Sequence, residues 1–181
     1  MYDLWWVYAV GFVGVVIYGS FFEWTLHRFV MHRPAPLVRY PYELHTLLHH
    51  RIFRADETYH AQNQEMLDHV TFTPRDYLIL LLVNLPLFLA VELTTGFPLA
   101  LSGSVAVLMY LGTFDALHWA FHVPKGRFFE KLGAYRWLKR HHLIHHRHHD
   151  RNLNVVLPIA DLVLFTLTTR ERVPAGEILE V

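Results

Sequence analysis

Three long runs of apolar residues constrain this chain more than anything else in it. Leu4 to Phe22 holds 19 residues without a formal charge. At about 1.5 Å per residue a helix of that length reaches roughly 28 Å, the hydrocarbon thickness of a bilayer. No basic n-region or small-residue cleavage site accompanies it, so it is read as a retained helix and not a removable signal. A second helix is expected to open at Thr73-Pro74-Arg75-Asp76 and to run to about Leu93, with Pro86 inside it. There Thr73 can cap, Pro74 suits the first helical position and Asp76 favours the positive end of the dipole. Thr94-Thr95-Gly96-Phe97-Pro98 reads as a tight reversal, and a third apolar helix follows from Leu99 to Val123, ahead of Pro124 and Gly126.

The expected fold is therefore all-α and integral to a membrane: a single domain over 1–181, with spans at about 4–26, 74–93 and 98–123. There is room for a fourth, re-entrant or interfacial, segment. The remainder, 27–73 and 124–181, forms a helical cap. Composition agrees, since 53% hydrophobic and 18% charged residues with a mean hydropathy of +0.21 exclude a disordered chain and overload a small water-facing domain. Sixteen Lys plus Arg balance sixteen Asp plus Glu, which gives no argument for nucleic acid. The basic residues are placed asymmetrically. Six (Arg28, Arg33, Arg39, Arg51, Arg54 and Arg75) lie between the first two spans, the other ten follow the third, and the Thr94–Pro98 loop has none. The excess of basic residues on cytoplasmic loops then places the N-terminus outside, and the cap, the C-terminus and all 15 histidines in the cytoplasm. Trp5, Trp6 and Tyr8 read as an aromatic anchor at one interface.

Cysteine is absent, which excludes disulfides, thiolate metal sites and cysteine nucleophiles. Histidine is the outlier, and it recurs in four clusters: His27-x4-His32 after Glu23; His45-x3-His49-His50; His118-x3-His122 after Asp115; and the run from His141 to His149. Residues three or four apart on a helix share a face, so His45/His49, His118/His122, His142/His145 and His142/His146 can each aim two imidazoles at one point. His27 and His32 are five apart, roughly 140° around an ideal helix, and need a helix distortion or a second ion between them. That mismatch and the count of eight to ten converging rings favour two ions over one. A ligand set of nearly pure imidazole suits Fe, Zn, Cu or Ni with little selection among them. Glu23 and Asp115, on otherwise apolar helices, are expected to accept the ring N–H of ligand histidines, the bland alternative being snorkelling at the membrane edge. His60 and His69 are set apart from the clusters, and His148 and His149 are expected on a solvated turn.

Glu23-Trp24-Thr25-Leu26-His27-Arg28-Phe29-Val30-Met31-His32 resembles the first histidine box of the fatty acid 2-hydroxylases, in the integral-membrane fatty acid hydroxylase and sterol desaturase superfamily. Asp115-Ala116-Leu117-His118-Trp119-Ala120-Phe121-His122 is similar to the third box and His142-x2-His145-His146 to the fourth. Pro158-x2-Asp161-x3-Phe165 resembles the closing aromatic-Asp segment. The likeness covers about residues 20 to 170. It departs in the second box, where three residues and not two separate His45 from His49, and at Ala160, which stands where the family usually has Trp.

The resemblance implies a di-iron monooxygenase that inserts one atom of dioxygen into a C–H bond of a fatty acyl or related lipid. Its metal ligands would be His27, His32, His45, His49, His50, His118, His122, His142, His145 and His146. Two iron ions are implied, with zinc able to take their place in a purified sample. No cytochrome-b5-like haem segment accompanies the boxes, so electrons are expected from a separate donor such as cytochrome b5, or a ferredoxin with its reductase. Leu26, Phe29, Val30, Trp119 and Phe121 are candidates to line an acyl channel, although packing is the better explanation for any one of them. Leu153 to Leu167 is expected as a partly buried helix closing the cap, or as an interfacial amphipathic element. Desaturation, or oxidation of a sterol or carotenoid, would use the same site. A metal transporter would need ionisable groups at mid-membrane depth, and a zinc lipid hydrolase would need Glu23 or Asp115 as general base.

Overall fold

The computed structural model describes residues 5–36, 38–68 and 70–169. Among them the chain is helical throughout, with no β-strand. The principal helices are α1 (Trp5–Leu26), α2 (Pro74–Thr95), α3 (Leu99–His122), α4 (Gly133–Arg147) and the short α5 (Ile159–Val163). Three are long and apolar enough to cross a membrane: α1 with its continuation to Met31, α2 and α3.

The start of α2 follows from its sequence. Thr73 Oγ1 accepts from the Asp76 N–H while the Asp76 carboxylate accepts from the Thr73 N–H, a reciprocal capping box that satisfies two otherwise orphaned donors, and Pro74 sits where no N–H is needed. The helix ends at Gly96, whose φ of +71° is a left-handed conformation that closes the last turn with an N–H to the Glu92 carbonyl. Its last helical residue is Thr95, two beyond the expected end.

The residues fall into two compact units, and α1 and α3 each contribute to both. The first comprises Met1–Gly19 and Phe72–Asp115. Its core is Val15, Phe88, Ala106, Val107 and Leu111, bordered by Phe12, Val16, Leu80 and Leu99. Buried Asn84 is satisfied at both ends, donating to the Leu80 carbonyl and accepting from the Tyr18 hydroxyl at 2.8 Å. The outer side chains of α2, among them Leu78, Leu82, Val83 and Leu93, are exposed.

The second unit comprises Ser20–Thr71 and Ala116–Val181. Its organising helix is α4, which buries Tyr135 and Lys139 on one face and then every residue from His141 to His146. Around it lie two π-helical stretches, His27–Met31 and Glu43–His49. The expected helix over Leu153 to Leu167 is not formed. Only Ile159–Val163 is helical, because the backbone amides of Leu153 and Asn154 are drawn into side-chain hydrogen bonds on Asp161, which leaves 152–158 as a loop, buried over 152–155.

Candidate metal centre

All fifteen histidines but His69, which lies outside the described residues, can be placed, and ten of them form two groups. His27, His32, His45, His50 and His145 make one; His49, His118, His122, His142 and His146 make the other. Within each group one ring nitrogen from every residue lies within 4.8 Å of all the others, and only His32 is less than fully buried. The groups adjoin, with the His50 and His146 rings 4.3 Å apart. These ten are the histidines marked by the sequence, but the partition differs from the expected one. His45 and His49 part company, as do His142 and His145, whereas His118/His122 and His142/His146 stay together.

In the first two clusters the reason is the π-helical backbone. The His32 N–H bonds the His27 carbonyl at 3.0 Å, and the His50 N–H bonds the His45 carbonyl, both i+5 to i. One extra residue in the turn brings positions five apart onto one face. The 140° mismatch between His27 and His32 is thus resolved by the distortion, and it is not an argument for a second ion. The division into two groups of five is a separate observation.

The protons of these rings can be assigned from their partners. A neutral imidazole carries one N–H. In the first group, His27 Nδ1 faces the Leu153 carbonyl and His145 Nδ1 the Arg151 carbonyl at 2.9 Å. Thr46 donates its hydroxyl proton to the Met31 carbonyl, so toward His32 Nδ1, 3.1 Å away, it can only accept. In the second group, Nδ1 of His118, His122 and His146 faces the carbonyls of Val70, Tyr59 and Phe53 at 2.8, 2.7 and 2.7 Å. Each of these rings donates from Nδ1 and turns a bare Nε2 lone pair inward. His32 Nε2 and His145 Nε2 then stand 3.1 Å apart with no proton between them. His142 Nε2 meets two such lone pairs, on His122 at 3.2 Å and His146 at 3.0 Å, and can offer a proton to one at most.

Buried lone pairs facing one another are repulsive, and a cation among them removes the conflict. Bonds of about 2.0–2.1 Å put neighbouring ligand nitrogens about 2.9 Å apart at right angles and about 3.3 Å apart at tetrahedral angles. The closest Nε2–Nε2 pairs run from 2.8 Å (His27–His45) to 3.4 Å (His49–His146), and all ligand atoms of a group lie within 4.8 Å of one another. The donor set therefore fits metal ions, and each group could hold one. Burial, reinforced by the neighbouring rings, holds His45, His50, His142, His145 and His146 well below the ordinary histidine value and pushes His32 down to about 2, so these rings stay neutral and able to ligate.

Glu23 and Asp115, expected to accept ring N–H groups, have these partners. Glu23 accepts from the Val155 N–H and the Asn154 side-chain NH2 and pins that loop, while the His27 ring N–H goes to the Leu153 carbonyl. Asp115 accepts from the Phe72 N–H and the Tyr77 hydroxyl, while the His118 ring N–H goes to Val70. Main-chain carbonyls, which leave no mark in a sequence, orient these rings. A carboxylate tied to the loop that faces this site is Asp161, fully buried, which accepts from Leu153 N, Asn154 N, Thr166 Oγ1 and His141 Nε2. Burial opposes its charge, but the hydrogen bonds from His141, Thr166 and Asn154 outweigh it and hold the carboxyl below its usual range. The one signal for it in the sequence was its place in the closing segment.

His60 stands beside Tyr59, outside both groups. His148 and His149 are exposed as expected, yet the His149 ring lies 4.2 Å from His50 and 5.2 Å from His32, against the first group. Of the channel candidates, Phe121 is fully buried against Tyr135 and His142, and Trp119 carries the Arg127 guanidinium 4.6 Å above its ring. Comparison with known protein families, with curated proteins and with solved structures returns no match.

Proposed function

We propose that this protein is an integral-membrane, di-iron lipid hydroxylase of the fatty acid hydroxylase and sterol desaturase type. The observation that carries the reading is the pair of buried groups of five imidazoles with unprotonated Nε2 atoms turned inward, above all His32 and His145 at 3.1 Å. Five neutral donors in each group suit a six-coordinate ion with one position left for a small ligand, as non-haem iron chemistry requires. When bound, iron supplies the one-electron and dioxygen chemistry that no side chain here can perform.

The chain's own residues hold and insulate that chemistry. The carbonyls of Leu153, Arg151, Val70, Tyr59 and Phe53 fix the ring tautomers, and burial keeps water from the ligands. The net reaction places one oxygen atom of dioxygen in a C–H bond and releases the other as water, with two electrons and two protons delivered by a separate donor. The substrate is a fatty acyl or related lipid. The exposed apolar flank of α2 supports a chain that lives in the bilayer, where such a substrate is at hand. The N-terminus then lies outside and the histidines on the cytoplasmic side, following the basic residues.

The test is the mass of the lipid product formed under isotopically labelled dioxygen. Label in the product is expected. Label entering only from water would replace this reading with hydrolysis, and loss of two hydrogens without added oxygen would replace it with desaturation.

A further inference from the structure

The two histidine groups take their outer hydrogen bonds from different stretches of chain. The carbonyls facing His118, His122 and His146 all come from residues 53–70. Those facing His27 and His145 come from Leu153 and Arg151. A trans peptide is planar, so its carbonyl and its N–H point opposite ways. The Leu153–Asn154 peptide turns its carbonyl to His27 Nδ1 and its N–H to Asp161 Oδ2 at 2.8 Å. The preceding amide, Leu153 N–H, reaches Asp161 Oδ1 at 2.9 Å. The Arg151–Asn152 peptide turns its carbonyl to His145 Nδ1 and its N–H to the Thr166 carbonyl at 3.1 Å, and the Thr166 hydroxyl donates to Asp161 at 2.6 Å. Asn152 takes a left-handed φ of +52° within this loop, and its side chain bonds both the Thr168 N–H and the His141 carbonyl. Asp161 belongs to neither histidine group, yet of the two peptide planes that aim first-group rings it holds one directly and the other through Thr166.

We propose that Asp161 is a positioning residue for the His27 group alone, fixing His27 and His145 through the Leu153 and Arg151 carbonyls, so that the two groups bind metal with separately set affinities. This rests on the reading that each group holds an ion. Asp161→Asn keeps the shape but replaces one acceptor oxygen with an NH2 that cannot receive the Leu153 or Asn154 amide.

The experiment is a titration of the metal-stripped full chain with Zn2+ alone, a probe that imidazole sites accept as readily as iron. Two ions should bind the unaltered chain. In Asp161→Asn one site should weaken by about 10–100-fold, the range for loss of an outer hydrogen-bond partner, and the other should keep its affinity. Adding His32→Ala to Asp161→Asn should cost the remaining site nothing, whereas adding His118→Ala should compromise both. Thr166→Val leaves the carboxylate in place and removes one of its donors, so it serves if Asp161→Asn does not fold. The same site should weaken, by a smaller factor. Equal weakening of both sites, as a general structural role would give, or no weakening of either, overturns the proposal. An unaltered chain that binds fewer than two ions overturns the underlying metal reading instead.

Discussion

A neutral histidine has a single proton to give, and in five of the ten grouped rings a main-chain carbonyl takes it. Six of the ten grouped rings face a carbonyl or the Thr46 hydroxyl oxygen with Nδ1, which makes Nε2 the ligating atom in each. Replacing His49, His122 or His146 by Ala is expected to remove the ion of that group and lipid oxidation together. Metal content and turnover measured on one sample check this, and an undiminished metal content in all three variants would contradict the ligand assignment. The same rings make the metal-free protein acid-sensitive. Their folded values lie below the ordinary 6.5, so as pH falls through about 6.5 the unfolded chain takes up protons that the folded chain refuses, and stability drops. Stability is complete above that pH and declines toward pH 4. Chemical denaturation of the metal-free chain should show a lower midpoint at pH 5 than at pH 7.5; equal midpoints would mean that the rings are not buried. Which histidines come together was legible in the sequence from their clustering. The acceptors of their protons were not, because a carbonyl oxygen belongs to every residue alike.

At the scale of elements, the two π-helical turns decide the grouping. Reading the second cluster as an α-helix pairs His45 with His49; the added residue in the turn pairs His45 with His50 instead and sends His49 to the other group. Nothing local in Glu43–His49 announces the π turn, whose cost is met by the site it completes. The long apolar helices were legible from their uncharged runs and from end signals such as Thr73, Pro74 and Gly96. Their packing is specific as well. A Cβ added at Gly103 would lie 2.9 Å from the ring of Phe88, which is 1% exposed and has nowhere to move. Gly103→Ala should destabilise the first unit by about 1–3 kcal/mol, the usual cost of overpacking. Thermal unfolding in detergent reads this as a lowered midpoint, and an unchanged midpoint would show that α2 and α3 do not meet there.

At the scale of the whole molecule, three apolar helices, a basic bias on one set of connections and a histidine-rich unit define what must be tested in a membrane. The natural absence of cysteine makes orientation easy to read, since an introduced thiol is the only one present. Thr95→Cys should react with a membrane-impermeant maleimide on intact cells, and Arg51→Cys only after permeabilisation. The reverse pattern would invert the proposed topology. The most direct test of the central claim is anomalous diffraction from crystals of the iron-loaded protein. Two peaks are predicted, one among His27, His32, His45, His50 and His145 and one among His49, His118, His122, His142 and His146. A single peak, or density away from both sets of rings, would contradict the account.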